Sequence, residues 1–161
     1  MQKKYSLCVS RDHQHCIEDA LAAAEQMCAQ EGLRLTALRK RVLELVWQTH
    51  QPIGAYDILH RLSIDDGRPA APPTVYRALD FLLEHGFIHR ISSLNAFIGC
   101  TAPEQPHQAQ FMICRLCQFT RELSCSEIDT VIHQRAAQIG FAVEAQVIEI
   151  SGLCAPCQAT L

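Results

Sequence analysis

PPTVYRALDFLLEHGF, residues 72–87, is the stretch that decides the fold. Thr74 stands directly before Val75, Leu79, Leu82 and Leu83, which recur at i, i+4, i+7 and i+8 and so form one apolar stripe along a helix. Gly86 supplies the stop, because glycine readily takes the left-handed conformation that closes a helix. With the stripe turned inward, Tyr76, Arg77 and Asp80 point elsewhere. A helix with one buried edge needs other elements to pack on, and the flanking sequence supplies them.

Upstream, residues 17–30 are rich in Ala, Glu, Gln and Leu without Pro or Gly, which predicts a helix stopped by Gly32, with Glu18 and Asp19 in its first turn. Thr36 is the expected N-cap of a second helix that runs to about Gln48, with Val42, Leu45 and Val46 on one face. Pro52 and Gly54 break the chain, and residues 55–63 give a third helix through Ile58, Leu59 and Leu62. Asp65, Asp66, Gly67, Pro69, Pro72 and Pro73 mark a loop. Downstream, residues 87–91 and 96–99 are short apolar stretches around Ser92, Ser93, Leu94 and Asn95, a hairpin by composition. Helices followed by a hairpin describe a winged helix-turn-helix.

The last third of the chain carries two Cys-x-x-Cys pairs, Cys114/Cys117 and Cys154/Cys157. Each pair places two sulfurs on one tight turn, and two such turns supply four ligands near ~2.3 Å from a Zn²⁺ ion. A thioredoxin-like redox pair is single and belongs beside a βαβ unit, and disulfides belong to oxidising compartments. Structural zinc is therefore the reading. Around the pairs, residues 110–114 and 119–123 read as strands, residues 127–139 as a helix ended by Gly140, and residues 142–150 as β-rich. So small a core is expected to draw stability from zinc and from a partner subunit. The fold class is thus α+β: an N-terminal winged helix-turn-helix domain followed by a small α/β dimerisation domain with a short antiparallel sheet.

A chain of 161 residues that is 48% hydrophobic and 19% charged is globular rather than disordered. The N-terminal stretch has no signal-peptide core, and no run approaches a membrane span. A cytoplasmic protein with no membrane partner is expected, its nine cysteines serving as metal ligands and buried thiols. The formal net charge of −3 at first argues against nucleic acid. Most of the Lys and Arg residues, however, lie in residues 1–90, and Arg34, Arg39, Lys40 and Arg41 cluster near the start of the second helix. Positive charge there opposes the helix dipole, so the cluster serves either an external anion or a solvated face.

In helix-turn-helix proteins the N-terminal residues of the recognition helix reach base edges. Here those residues are Thr74, Tyr76 and Arg77. Arg77 could form a bidentate pair with guanine, worth about 1–3 kcal/mol of discrimination, or a surface ion pair with Asp80 three residues on.

Residues 72–87, together with RLTALRKRVLEL at residues 34–45, resemble the ferric-uptake-regulator family of metal-dependent repressors, and most closely its zinc-responsive members. The similarity extends from about Ala20 to Cys157 and includes both cysteine pairs in order. It implies a winged helix that binds a DNA operator and a C-terminal domain that dimerises. It also implies that Arg77 and Tyr56 contact DNA; the helix-turn-helix reading adds Thr74 and Tyr76, and the basic cluster adds Arg34, Arg39 and Lys40.

A metal-dependent regulator needs a second, reversible site besides the paired cysteines. A hairpin turn centred on Leu94 and Asn95 would set His89 opposite Cys100; His107 follows in the interdomain loop, and Glu122 lies on the strand after the first cysteine pair. The resemblance implies that His89, Cys100, His107 and Glu122 hold a regulatory zinc, while Cys114, Cys117, Cys154 and Cys157 hold the structural one, two Zn²⁺ per subunit. One thiolate and one carboxylate leave the mixed site formally neutral, against −2 for four thiolates, which suits reversible loading.

A single histidine, His107, precedes the first cysteine pair where iron-responsive relatives carry a His-rich run, which disfavours an iron- or peroxide-responsive regulator. A zinc hydrolase is the rival from another class, and Glu122 as fourth ligand would argue against it. His13, His15, Cys16 and Cys125 are weaker metal candidates; Cys8, Cys28, His50, His60, His85 and His133 read as structural or surface residues. The expected organisation is an N-terminal tail (1–16), a DNA-binding domain (17–100), a hinge (101–107) and a zinc-stapled dimerisation domain (108–161). The expected molecule is a homodimeric, zinc-responsive repressor of zinc uptake and homeostasis genes with zinc as corepressor. It would bind double-stranded DNA with a near-palindromic operator and have neither catalytic residues nor a small-molecule substrate.

Overall fold

The computed structural model describes residues 14–49, 51–65, 67, 70–105 and 107–160. Expectations placed on Cys8, His13, His50 and most of the N-terminal tail lie outside the described residues. The first helix, α1 (Gln14–Glu31), includes residues assigned above to the tail, and it begins early enough that Glu18 and Asp19 fall beyond its first turn. Thr36 caps α2 (Ala37–Trp47) as expected, its Oγ1 accepting the Arg39 N–H. Helix α3 (Ala55–Asp65) buries Ile58, Leu59 and Leu62.

Helix α4 (Pro72–Glu84) starts earlier than Thr74, because Pro72 and Pro73 fill its first turn rather than the loop before it. Proline suits that place: its fixed φ is helical, and the N–H it lacks would have had no partner within the helix. Val75, Leu79 and Leu82 are fully buried, each contributing about 1.5–3 kcal/mol by burial. At the other end Gly86 takes φ +70°, and the Phe87 N–H returns to the Leu82 carbonyl at 2.9 Å. The stripe packs with Val42, Leu43, Leu45 and Val46 of α2 and with Ala24 and Cys28 of α1 into the larger core.

Strand β1 (Ile53–Gly54), read from sequence as a break, pairs with β3 (Ala96–Gly99), which pairs with β2 (Ile88–Ile91), giving an antiparallel sheet ordered β1-β3-β2. The hairpin register differs from expectation, since His89 faces Ile98 and Cys100 stands beyond the ladder, its N–H bonded to the Phe87 carbonyl at 3.0 Å. The cause is the connection: a 3₁₀ turn over Ser92–Leu94 and a left-handed Asn95 at φ 47° replace a two-residue turn. This shift moves the pairing by an even step, so His89 and Cys100 keep a common face.

The second sheet has order β5-β4-β6 and is mixed, not antiparallel throughout. Strand β4 (Ala109–Cys114) runs antiparallel to β5 (Thr120–Glu122) and parallel to β6 (Val147–Gly152). A parallel neighbour requires a crossover, which α5 (Ser126–Gln138) provides. Gln110, fully buried, ties that helix down: its Nε2 donates to Asp129 Oδ1 at 2.7 Å and to the Cys125 carbonyl at 3.2 Å. A short helix, α6 (Ala155–Gln158), follows. Helix α5 buries none of its residues, and Val131, Ile139, Phe141 and Val147 are all more than half exposed.

The β2–β3 hairpin is shared between the two halves. Ile88 and Phe97 join the helical core, whereas Ile91 and Ile98 pack with Ala109, Phe111 and Ile113 into a second one. The wing is thus a packed layer rather than a projecting ribbon.

Candidate metal centres and nucleic-acid surface

Cys114, at the end of β4, and Cys117, in the turn that follows, meet Cys154 and Cys157 beside α6 in one group whose donor atoms all lie within 4.8 Å of one another. The Cys117 and Cys154 sulfurs are 3.6 Å apart, close to the ~3.8 Å edge of a tetrahedron of sulfurs at ~2.3 Å from zinc. Local backbone prepares the site for anions. N–H groups of Cys117, Cys154 and Leu116 point at the Cys114 sulfur and bring its pKa down to about 6, whereas hydrogen bonding with the neighbouring thiols pushes Cys157 up to about 12. One thiolate is thus stable alone; four together call for a cation, and the donor set fits zinc.

The second group joins His89 of β2, Cys100 just past β3, His107 of the connecting loop and Glu122 of β5, again within 4.8 Å. Glu122 Oε1 lies 3.1 Å from His89 Nε2 and 2.6 Å from His107 Nε2; the two ring nitrogens are 3.3 Å apart, and Cys100 Sγ is 3.6 Å from His107 Nε2. Burial would raise the Glu122 pKa, but the hydrogen bond and charge of His89 and the hydrogen bonds from Thr101 outweigh it and hold it at about 2. Burial, then the Glu122 charge, push Cys100 up to about 12. For His107 burial works the other way, yet the Gln105 carbonyl and Glu122 leave its pKa raised. An anionic carboxylate between two imidazoles, beside a thiol that yields its proton only to a strong competitor, fits a divalent metal of zinc's preferences.

Sequence reasoning missed two supports of these groups. Thr101 gives Glu122 Oε2 both its N–H, at 3.2 Å, and its hydroxyl, at 2.9 Å. Gln51 Nε2 donates to the Cys117 carbonyl at 2.8 Å, linking the α2–β1 loop to the cysteine turn. Thr101 adjoins Cys100, which was the only available hint. Among the described residues, the weaker metal candidates His15, Cys16 and Cys125 join neither group: Cys125 Sγ donates to Glu127, and His15 is exposed near Glu18. His85 packs against Phe81 with ring centroids 4.5 Å apart and the rings tilted by 55°, and Cys28 is buried in α1.

On the helical domain Thr74, Tyr76 and Arg77 are exposed on α4, and Tyr56 is 79% exposed at the start of α3. A cleft of about 170 Å³ lined by Thr36, Arg39, Thr74 and Arg77 separates the starts of α2 and α4. The basic cluster does not form one free patch. Arg39 lies 3.5 Å over the Phe81 ring and bonds the Arg34 carbonyl, Lys40 pairs with Glu25, and Arg41 pairs with Glu44 and Asp65.

A winged helix joined to a cysteine-clasped domain through a mixed donor set defines a class of metal-linked regulators. The chain belongs to the ferric uptake regulator family, whose sequence model matches residues 30–151. That family is one of regulators, so the hydrolase reading of the mixed site falls. The chain is 44% identical to the zinc uptake regulation protein of Escherichia coli (strain K12) over 142 residues, 87% of this chain and 82% of that one. Among solved structures it is similar to a zinc uptake regulator complexed with zinc and DNA, at 42% identity and TM-score 0.84 over 89% of this chain and 96% of that one. It also matches XcZur in its holo form (41% identity, TM-score 0.79, 86% and 96% covered) and, at a TM-score of only 0.51, in its apo form (38% identity, 88% and 97% covered). No helix among the described residues is long and apolar enough to cross a membrane.

Proposed function

We propose that this chain is a zinc-responsive, sequence-specific DNA-binding repressor of zinc uptake and homeostasis genes, cytoplasmic and homodimeric, with zinc as corepressor and two zinc ions per subunit. The observation that carries this reading is the division of donors: four sulfurs within one domain, and a His/Cys/His/Glu set drawn from the hairpin, the connecting loop and the second sheet. The first set would clasp the dimerisation domain (108–161); the second spans the junction of that domain with the DNA-binding domain (17–100) across the hinge (101–107). Zinc at the junction supplies bonds that only the closed arrangement can complete.

Linkage makes the consequence quantitative. A near-complete switch requires the metal to favour the DNA-competent arrangement by about 10⁴-fold, or ~5.5 kcal/mol, and DNA must then strengthen zinc binding in return. Similarity to the holo rather than the apo form of XcZur supports the closed arrangement described here as the competent one. The exposed apolar residues of α5 and β6 supply a face for a second copy, and a twofold dimer favours a near-palindromic operator. Arg77, Thr74, Tyr76 and Tyr56 are the proposed contacts, with Arg34 also exposed; Arg39 and Lys40 would have to exchange internal partners for phosphate.

The test is DNA binding measured across buffered free zinc, with zinc counted per subunit. Two ions per subunit and sequence-selective binding that rises as the second ion loads are expected. Selective binding unaffected by free zinc, or preferential response to iron, would refute the reading.

A further inference from the structure

Phe111 on β4 stands opposite Glu122 on β5 and opposite Glu149 on β6. The three residues form one row across the second sheet, carboxylate, ring, carboxylate, and side chains in one row share a face. That face meets the hairpin. At one end Glu122 takes the Thr101 N–H and hydroxyl just past β3 and approaches His89. In the middle the Phe111 ring meets the His89 ring edge-on at 5.4 Å. At the far end Glu149 Oε1 accepts the Ser92 N–H at 2.6 Å, and its Oε2 accepts the Ser93 N–H at 3.0 Å.

Those two amides open the 3₁₀ turn at the hairpin tip, where a helical turn leaves its first N–H groups without an internal acceptor. A carboxylate that bridges both makes two charge-assisted bonds. Burial opposes ionisation of Glu149, but the bonds from Ser93 and Ser92 outweigh it and its pKa is lowered. The contact joins residues 57 positions apart in sequence. It ties the tip of the wing to the last strand of the other domain, away from the donor set at the wing's base.

We propose that Glu149 is a positioning residue of the switch: its carboxylate holds the hairpin tip against the second domain while the His89/Cys100/His107/Glu122 set holds the base. A rigid hairpin fixed at one end can still pivot about the Phe111 ring; fixed at both it cannot. This inference rests on the regulator reading above. Because Glu149 is not among the metal donors, its removal spares zinc stoichiometry and instead lowers the fraction of molecules in the competent arrangement. Apparent affinity falls by that fraction.

The experiment compares wild type, Glu149→Ala, Ser92→Pro and the double variant as full-length protein. Ser92→Pro removes one donor of the same contact from the other side. The probe is a duplex selected from a randomised pool by the zinc-loaded wild type. Loss of the bridge should raise the free zinc at half-maximal DNA binding about tenfold, with unchanged zinc per subunit and faster hydrogen exchange at Ser93 in Glu149→Ala. The double variant should be no worse than the more affected single one, since both remove one contact. Wild-type zinc dependence in Glu149→Ala, or additive effects in the double variant, would overturn the proposal. If wild type itself shows no zinc-dependent DNA binding, the regulator reading fails instead. Exchange at Ser92 and Ser93 with and without zinc then still decides the clamp: zinc-induced protection lost in Glu149→Ala supports it, and protection indifferent to zinc sinks it.

Discussion

Arg77 sits three residues before Asp80 on α4, yet no ion pair joins them among the described residues, and both stay exposed. A guanidinium left in solvent on the first turns of a helix, while Arg39, Lys40 and Arg41 nearby are all engaged internally, is free for an external partner. Arg77→Ala is expected to leave the melting temperature unchanged and to remove about 1–3 kcal/mol of discrimination between the selected duplex and a scrambled one at fixed salt. Undiminished preference would exclude Arg77 from base reading. The two cysteine roles separate at the same scale. Cys100→Ser should keep fold and dimer and lose zinc-dependent DNA binding. Cys114→Ser should cost several kcal/mol, a fraction of the roughly 10–16 kcal/mol with which a structural zinc site binds, and be visible as lost secondary structure by circular dichroism. A well-folded Cys114→Ser protein would reassign the four-sulfur group.

The elements of the helical domain were legible in the sequence because each announces itself locally: Thr36 as a cap, the stripe of Val75, Leu79 and Leu82, Gly86 as a stop. What escaped is whatever distant chain decides. Strand β1 is two residues long and exists only because β3 lies beside it. The hairpin register depends on a 3₁₀ turn capped by Glu149 from the far end of the chain. His89 and Cys100 were nonetheless paired for a sound reason, since the true register preserves the face even though it moves the partner. All four residues of the junction group, His89, Cys100, His107 and Glu122, were named from the sequence through the family resemblance, but no local pattern marks Glu149, Thr101 or Gln51. Gly99 on β3 belongs with these. A methyl group there would come within 2.2 Å of the Trp47 indole. Gly99→Ala is therefore expected to destabilise by about 1–3 kcal/mol through overpacking, measured by thermal or urea unfolding. A neutral effect would mean that α2 and the wing can separate freely.

For the whole molecule, protons and metal compete at the domain junction. Without metal Cys100, at about 12, holds its proton at neutral pH, Glu122, at about 2, holds none, and His107 is raised toward protonation. Loading the junction should release about one proton from Cys100 and part of another from His107, and zinc affinity should weaken as pH falls through neutrality. Calorimetry in buffers of differing ionisation enthalpy counts those protons; none released would contradict a thiolate donor. The contribution of Glu122 to folding has the opposite window. Its folded pKa is depressed, so that stability is fully present above the ordinary value of 4.5 and is lost as pH falls toward about 2. Between these ranges the chain should stay folded while its junction empties. Trp47 is the only tryptophan of the chain and packs against Gly99, the neighbour of Cys100. Among the described residues its indole N–H has no hydrogen-bond partner and is buried, so the emission of a single tryptophan reports on the backbone that carries a junction donor, and the switch can be followed by light without a label or a duplex.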